Sequence, residues 1–379
     1  MDRELQGCKA VGIAGGGQLA LMMIPAARKL GLQVFVLDPD QDCASARDAD
    51  KLVVGDFSSA ESLIALSNLC DVITFEIEKV SADLLGKFEE EGKAVRPGSV
   101  ILNKIQDKLV QKSELRRFEI PVSFFEDLKT RSDLPSRVPC VWKARTASYD
   151  GRGVSILKDV SDLIDVPDIP GYTEELVDIK YELAILIARS VNGETVEYPV
   201  AEIIMDEQSN IMDTVVVPSV APDHLQKECR RIALKLVDAY DYVGVMAIEF
   251  FVDNNERLFV NEISPRPHNS GHYTIEACKT SQFEQHLRAI TNKELGSAEL
   301  ISPAATFNIL GPPGAVGKPI FFVAEALSRK TGVYVHNYGK ARVNPGRKMG
   351  HVTVTGESRE EVLVEARKLQ HLIRVEGGG

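Results

Sequence analysis

The chain contains no C-x-x-C pair, and its six cysteines (Cys8, Cys43, Cys70, Cys140, Cys229 and Cys278) lie far apart. That spacing argues against a zinc site or a disulfide framework and for reduced thiols, so a cytoplasmic setting is expected. Basic residues are the minority, with 44 Lys and Arg against 55 Asp and Glu and a formal charge of −11. A nucleic-acid partner needs a basic field and is therefore disfavoured; an anionic ligand must be met by a local cluster of cations. No apolar run reaches the roughly 18 residues of a transmembrane helix, so no membrane partner is expected. The N-terminus lacks a basic stretch followed by an apolar one, so no secretory signal is expected. There is no internal repeat and no G-x-x-x-x-G-K-[ST] phosphate loop. What remains is an ordinary globular composition: 379 residues, 44% hydrophobic and 26% charged. That length is enough for two or three domains.

The N-terminal third alternates strand and helix. Strands are expected at Ala10–Ala14, Gln33–Asp38, Lys51–Val54 and Asp71–Phe75, with helices over about Gln18–Leu30, Ala60–Leu69 and Ser81–Glu91. This pattern reads as a doubly wound parallel sheet. Gly15-x-Gly17-x-x-Ala20, with Asp38 ending the second strand, matches the dinucleotide fingerprint. The same glycines would equally serve tight strand–helix packing. Glu76 and Glu78 follow the fourth strand, at the edge where such sheets bind ligands, and could also be solvated loop acids.

Further on, Lys108 opens a basic helix. Pro139–Lys143 is a short strand ending in lysine, followed by the small, polar, glycine-containing loop Ala144–Gly153. A fixed cation beside a flexible glycine loop suits nucleotide phosphates; a lysine snorkelling from a sheet edge is the ordinary alternative. The richest stretch is Val245–Val252 followed by Arg257–His272. The two apolar runs flank Asp253–Glu256, which has turn chemistry. A hairpin with Asn254-Asn255 at its tip sets Glu249 opposite Val260, with Glu262 one diagonal step away. Two carboxylates in an apolar setting repel unless a divalent cation such as Mg²⁺ joins them. Arg266-Pro267-His268-Asn269-Ser270 adds anion donors next door, and metal beside anion donors suggests phosphoryl chemistry.

Together these motifs resemble the ATP-grasp ligases. Within them the chain resembles the N5-carboxyaminoimidazole ribonucleotide synthetases, the ATP-dependent carboxylases of de novo purine synthesis. The matching residues are Gly15–Leu19, Asp71–Glu78, Gln106-Asp107-Lys108, Tyr149–Gly153, Asn261–His272, Tyr338-Gly339-Lys340 and Arg347–His351. The match covers nearly the whole chain, and its Arg266–His272 run is the most specific part. The resemblance implies carboxylation of 5-aminoimidazole ribonucleotide by bicarbonate through carboxyphosphate, using ATP and Mg²⁺.

Carried over residue by residue, Lys108 and Lys143 would contact ATP phosphates under a lid at Ser148–Val154 that includes Tyr149, Gly151, Arg152 and Gly153. Glu174, Glu175, Leu176 and Val177 would meet adenine, with Glu202 near it and Glu182 on the ribose. Glu249 and Glu262, with Asn261 adjacent, would hold Mg²⁺. Arg266, His268, Asn269 and Ser270 would surround bicarbonate and its phosphorylated form. Gly17, Gln18, Glu76, Tyr149, Asp150 and Arg152 would contact the ribonucleotide, and Lys340 and Arg347 its 5′-phosphate. Asp150, Arg266 and Lys340 are the catalytic candidates, with Asp150 orienting the amine and accepting its proton. The chain departs from the family at Ala147 and Ser148, where glycines are usual, and at Ala20, Lys79 and Glu202.

The expected organisation is a doubly wound domain at 1–107, a small ATP-grasp unit with lid at 108–178, a large unit at 179–300 and a β-rich closure at 301–379. A homodimer and a separate mutase that takes the product are expected from the resemblance. Rival readings are a formate-using ATP-grasp ligase, a nicotinamide-dependent dehydrogenase built on Gly15–Ala20, and a non-catalytic nucleotide-binding protein.

Overall fold

The computed structural model describes residues 7–128, 134, 136–146, 153–205, 212–323 and 330–378. Its N-terminal part is a parallel sheet of β1 (Ala10–Ala14), β2 (Gln33–Asp38), β3 (Lys51–Val54), β4 (Val72–Phe75) and β5 (Ala94–Val95) in the order β3-β2-β1-β4-β5. Helices α1 (Gln18–Lys29), α2 (Ala60–Ser67) and α3 (Ala82–Glu90) connect its strands. The apolar run of β1 is buried throughout, as a central strand covered on both faces must be. β5 was not expected; two residues are too few to carry a period.

Two helices then follow end to end, α4 (Ser99–Gln106) and α5 (Lys108–Arg117). Asp107 separates them and caps α5, its carboxylate accepting from the N–H groups of Leu109 at 2.9 Å and Val110 at 3.2 Å. Arg145 grips the same carboxylate at 2.6 Å, and Lys108 N donates to Arg145 O at 2.8 Å. The start of α5 is thereby locked to the end of a strand far away in sequence.

That strand belongs to a second, antiparallel sheet: β6 (Phe125–Asp127), β7 (Cys140–Ala144), β8 (Val154–Leu157) and β9 (Gly171–Glu174), ordered β6-β9-β7-β8. Lys143 faces Val154 across the β7–β8 pair, so the expected lid loop joins two paired strands.

The largest sheet contains β10 (Ile179–Arg189), β11 (Thr195–Glu197), β12 (Ala201–Met205), β13 (Met212–Val217), β14 (Gly244–Asp253) and β15 (Leu258–Ser264). It continues without a break into β16 (Ala304–Leu310), β18 (Val333–Asn337) and β19 (Lys348–Thr355). The segment after 301 therefore extends the large sheet itself. Among the described residues, β17 (Lys318–Phe322) pairs only with β20 (Arg374–Gly378). The long helix α6 (Asp223–Ala239) and a last helix, Arg359–Gln370, bury their apolar faces on one side of the large sheet.

Between β15 and β16 run the short α7 (Thr274–Ala277) and α8 (Gln282–Ile290), and α8 packs against α1. His286 on α8 ties the parallel sheet to the large one. Its Nδ1 accepts from Val245 N at 3.1 Å, so its Nε2–H donates to Thr74 Oγ1 at 2.8 Å. Burial pulls this imidazole down to about 3, so it is neutral.

Gly171 on β9 lies flat against Trp142, the only tryptophan, which is 1% exposed. A Cβ at this position would collide with the indole. Gly171→Ala should cost about 1–3 kcal/mol through overpacking, read as a lower midpoint in thermal unfolding; an unchanged midpoint would show that the indole can move aside.

Candidate functional site

The site is built on the β14–β15 hairpin, and its register differs from the sequence expectation. The turn is one residue longer than Asn254-Asn255: Asp253 N donates to Arg257 O at 3.1 Å, and Glu256 closes the turn at φ 60°. Phe250 consequently faces Val260. A bulge at Asn261 then shifts the register again, and Glu249 stands directly opposite Glu262. The expectation of Glu249 against Val260 is thus corrected. Sequence periodicity has no way to register an inserted residue.

Glu182 shares this face, because Ala184 pairs with Glu249 and Glu182 lies two residues along. Three carboxylates therefore line one side of the sheet. Burial and the Glu262 charge push Glu249 up to about 8. Burial alone pushes Glu182 up to about 7, against the pull of Lys143. Burial would raise Glu262 too, but Lys108 and His268 hold it down to about 2. One member of the opposed pair is ionised and the other protonated.

The cations arrive from elsewhere. Lys108 at the start of α5 reaches Glu262 at 3.2 Å. Lys143 on β7 donates to Asn261 Oδ1 at 3.1 Å and lies 3.2 Å from Glu174. Arg266 pairs with Glu78 at 3.2 Å. His268 Nδ1 sits 3.3 Å from Glu249 Oε1 and 3.0 Å from Ser270 Oγ. Asn269 and Ser270 are buried in the short turn that follows. Among the described residues, buried Glu249 Oε1 and Arg266 Nε have no hydrogen-bond partner.

These features fit a divalent cation. An orphaned carboxylate oxygen faces a second carboxylate, and a metal would take the place of the proton that keeps the two from repelling. Among the described residues no group of three or more His, Cys, Asp or Glu side chains is set to hold a metal by itself. The remaining ligands would have to be phosphate oxygens and water, as is usual for Mg²⁺.

At the N-terminal sheet the glycine loop is already occupied. Glu76 accepts from the N–H groups of Gly17 at 2.6 Å, Leu19 at 2.9 Å and Ala20 at 3.2 Å. Its carboxylate sits where a dinucleotide pyrophosphate would bind, and supplies the cap that Gly17 cannot give α1. Asp38 accepts from Gly16 N at 2.7 Å. This occupation removes the structural basis of the nicotinamide reading. Burial pushes Glu76 up, against its N–H donors and Arg266. Lys340, from the C-terminal segment, donates to Gln18 Oε1 at 2.9 Å and to Lys348 O at 2.7 Å, which brings two expected ribonucleotide contacts together. Arg347 bonds Arg342 O at 2.8 Å.

Two expected nucleotide contacts have side chains turned to partners within the chain. Glu202 pairs with Leu183, so it points to the reverse face of the sheet, where it holds Arg359 at 2.7 Å. Glu174 points inward, 3% exposed, toward Tyr172 OH, Ser123 Oγ, Lys112 and Lys143, and its side chain is not offered to adenine. Glu175 and Leu176 are exposed beyond β9, Val177 is half-buried, and Glu175 N donates to Phe124 O at 2.8 Å. Gly153 accepts from Ala144 N at 2.8 Å. Ser148, Tyr149, Asp150, Gly151 and Arg152 lie outside the described residues.

Sequence reasoning missed Lys112 and a stack of the buried His272 and His351 with the half-buried His336. The ring centroids of His272 and His351 are 4.6 Å apart, and those of His351 and His336 are 4.3 Å apart. Tyr338 OH meets His351 Nδ1 at 2.8 Å, joining the stack to the segment that carries Lys340. Lys112 had a usable signal: it lies four residues after Lys108, on the same helix face.

The ATP-grasp domain family matches residues 113–283. The ribonucleotide synthetase preATP-grasp domain matches 8–106, and the phosphoribosylaminoimidazole carboxylase C-terminal domain matches 304–365. N5-carboxyaminoimidazole ribonucleotide synthase of Synechococcus elongatus is 38% identical over 371 residues, spanning 95% of this chain and 93% of its own. The crystal structure of N5-carboxyaminoimidazole ribonucleotide synthetase from Thermotoga maritima superposes with a TM-score of 0.90 at 40% identity, over 98% of this chain and 100% of its own. The synthase from Aspergillus clavatus, in complex with ADP and 5-aminoimidazole ribonucleotide, superposes at 0.85 with 30% identity, over 96% of this chain and 98% of its own.

Without metal, ionising Glu249 is unfavourable in the folded chain. Its folded pKa lies above the unfolded value, so it subtracts stability progressively as pH rises from about 4.5 to about 8. Glu249→Gln should therefore gain stability relative to the unmodified chain across that window, by more than about 1.4 kcal/mol, the equivalent of one pKa unit. Denaturant titrations of metal-free protein at both ends of the window check this; parallel curves would show that the carboxylates do not repel.

Proposed function

The chain belongs to the N5-carboxyaminoimidazole ribonucleotide synthase family, and from that membership we propose how its residues divide the reaction. It is an ATP-grasp ligase that carboxylates 5-aminoimidazole ribonucleotide at the expense of ATP in purine biosynthesis, with Mg²⁺ as the accompanying metal. The observation that carries the assignment of roles is the opposed pair Glu249 and Glu262 with Lys108 and Lys143 directed at it. Glu249 and Glu262 would hold Mg²⁺, which would supply charge neutralisation at the nucleotide phosphates.

Lys108 and Lys143 meet the phosphates as point charges, and Glu182 receives the ribose. The backbone at Glu175–Val177 edges the adenine. Arg266, with one N–H unpartnered, and the His268–Ser270 turn receive bicarbonate and the carboxyphosphate formed from it. These donors are fixed before the reaction by Glu78, Glu249 and Gln282, so little reorganisation opposes the developing charge. Gln18, Glu76 and Lys340 hold the ribonucleotide, with Arg347 on its 5′-phosphate. Asp150, assigned from sequence alone, orients the amine and accepts its proton. A homodimer, a cytoplasmic location and a separate mutase that consumes the labile product complete the proposal.

The test is ADP release from Mg-ATP, followed together with loss of the ribonucleotide. Coupled turnover that stops without bicarbonate is expected. Turnover supported by formate instead would turn the reading toward a formate-using ligase. Lys340→Met should raise the KM for the ribonucleotide about 10- to 100-fold, the worth of one charge-assisted contact. The KM for ATP should stay within about twofold; a parallel rise in both would remove Lys340 from this role.

A further inference from the structure

Lys112 is the most buried cation of the site, its side chain 2% exposed, and no step above uses it. It lies one turn beyond Lys108 on α5 and touches both halves of the nucleotide cleft. Toward the β6–β9 sheet its Nζ stands 3.4 Å from Glu174 Oε2. Toward the metal hairpin it donates to Val260 O at 3.1 Å. Val260 immediately precedes the bulge residue Asn261. Gln111 beside it holds Ile263 on the far side of the bulge, through contacts of 3.1 and 3.4 Å. β15 is an edge strand, and these two α5 side chains satisfy backbone groups that the sheet leaves open there.

Glu174 is shared. One oxygen faces Lys112 and the other faces Lys143, at 3.2 Å. Without Lys112, Lys143 would be the only cation among the described residues paired with a carboxylate that is 3% exposed. Lys143 would then be drawn onto Glu174 and away from any ligand.

We propose that Lys112 is a positioning residue for the nucleotide: it neutralises Glu174, leaving Lys143 available to the phosphates, and pins the bulge that aims Asn261 and Glu262. This rests on the reading of Lys143 as a phosphate contact.

The test compares Lys112→Met, Glu174→Gln and the double variant in the full chain. Its readouts are equilibrium binding of a non-hydrolysable Mg-ATP analogue and the separate KM values for ATP and the ribonucleotide. Lys112→Met should weaken analogue binding about tenfold or more, with the ribonucleotide KM within about twofold. The double variant should bind more tightly than Lys112→Met, recovering the share of the loss that capture of Lys143 causes, because the carboxylate that captures Lys143 is gone. A double variant weaker than Lys112→Met, or a ribonucleotide KM that rises with the ATP KM, would mean a merely structural lysine and overturn the proposal. If Lys112→Met does not fold, Glu174→Gln decides. Analogue affinity equal to or above that of the unmodified chain is expected, and a tenfold loss overturns the proposal. Analogue binding without bicarbonate- and ribonucleotide-dependent turnover in the unmodified chain would refute the reaction instead, and leave this comparison standing.

Discussion

Two carboxylates placed face to face on neighbouring strands organise this protein. Glu249 and Glu262 oppose each other on the hairpin, with Glu182 along the same face. Like charges at such a separation, in a poorly hydrated setting, cannot both ionise without cations. The surrounding architecture delivers them: Lys108 from a helix start, Lys143 from the end of a strand in another sheet, and His268 from the turn that follows the hairpin. The protein stores electrostatic tension in the hairpin that a metal and an anionic nucleotide can relieve together.

Helix α5 makes that delivery dependable. Asp107 caps it and Arg145 clamps the cap, so the first residue, Lys108, has a defined direction. One turn on, Gln111 and Lys112 hold the backbone on either side of the bulge. A bulge on an edge strand leaves polar groups exposed to competition from water; here a helix supplies their partners. The carboxylates therefore sit on a rigid element that two sheets grip from opposite sides.

The N-terminal sheet shows the same economy with opposite sign. A glycine loop and helix start form an anion site, and the chain fills it with its own Glu76. The fold of a dinucleotide-binding domain is kept while its usual ligand is excluded. Gln18, the first residue of α1, instead faces Lys340 from a segment more than 300 residues away.

Much of this was legible in the sequence. The runs Ala10–Ala14, Gln33–Asp38 and Lys51–Val54 became strands with those same bounds, because short, mostly apolar stretches between turn residues leave few alternatives. The acid pair, the donor-rich run Arg266–Ser270 and the family were also readable, since they rest on residue types at short spacing. What the sequence could not carry was register and side-chain direction. A longer turn and one inserted residue at Asn261 moved Glu262 from a diagonal to a direct partner of Glu249. Strand pairing sent Glu202 to the far face. Glu174 looked like an adenine contact and became the buried anchor of two lysines. The chain alone determined which elements form and which chemistry is present, through periodicity and local turn preference. Tertiary structure decided which charges face one another, because that depends on strand pairing and on residues far apart in sequence, about which local pattern holds no information.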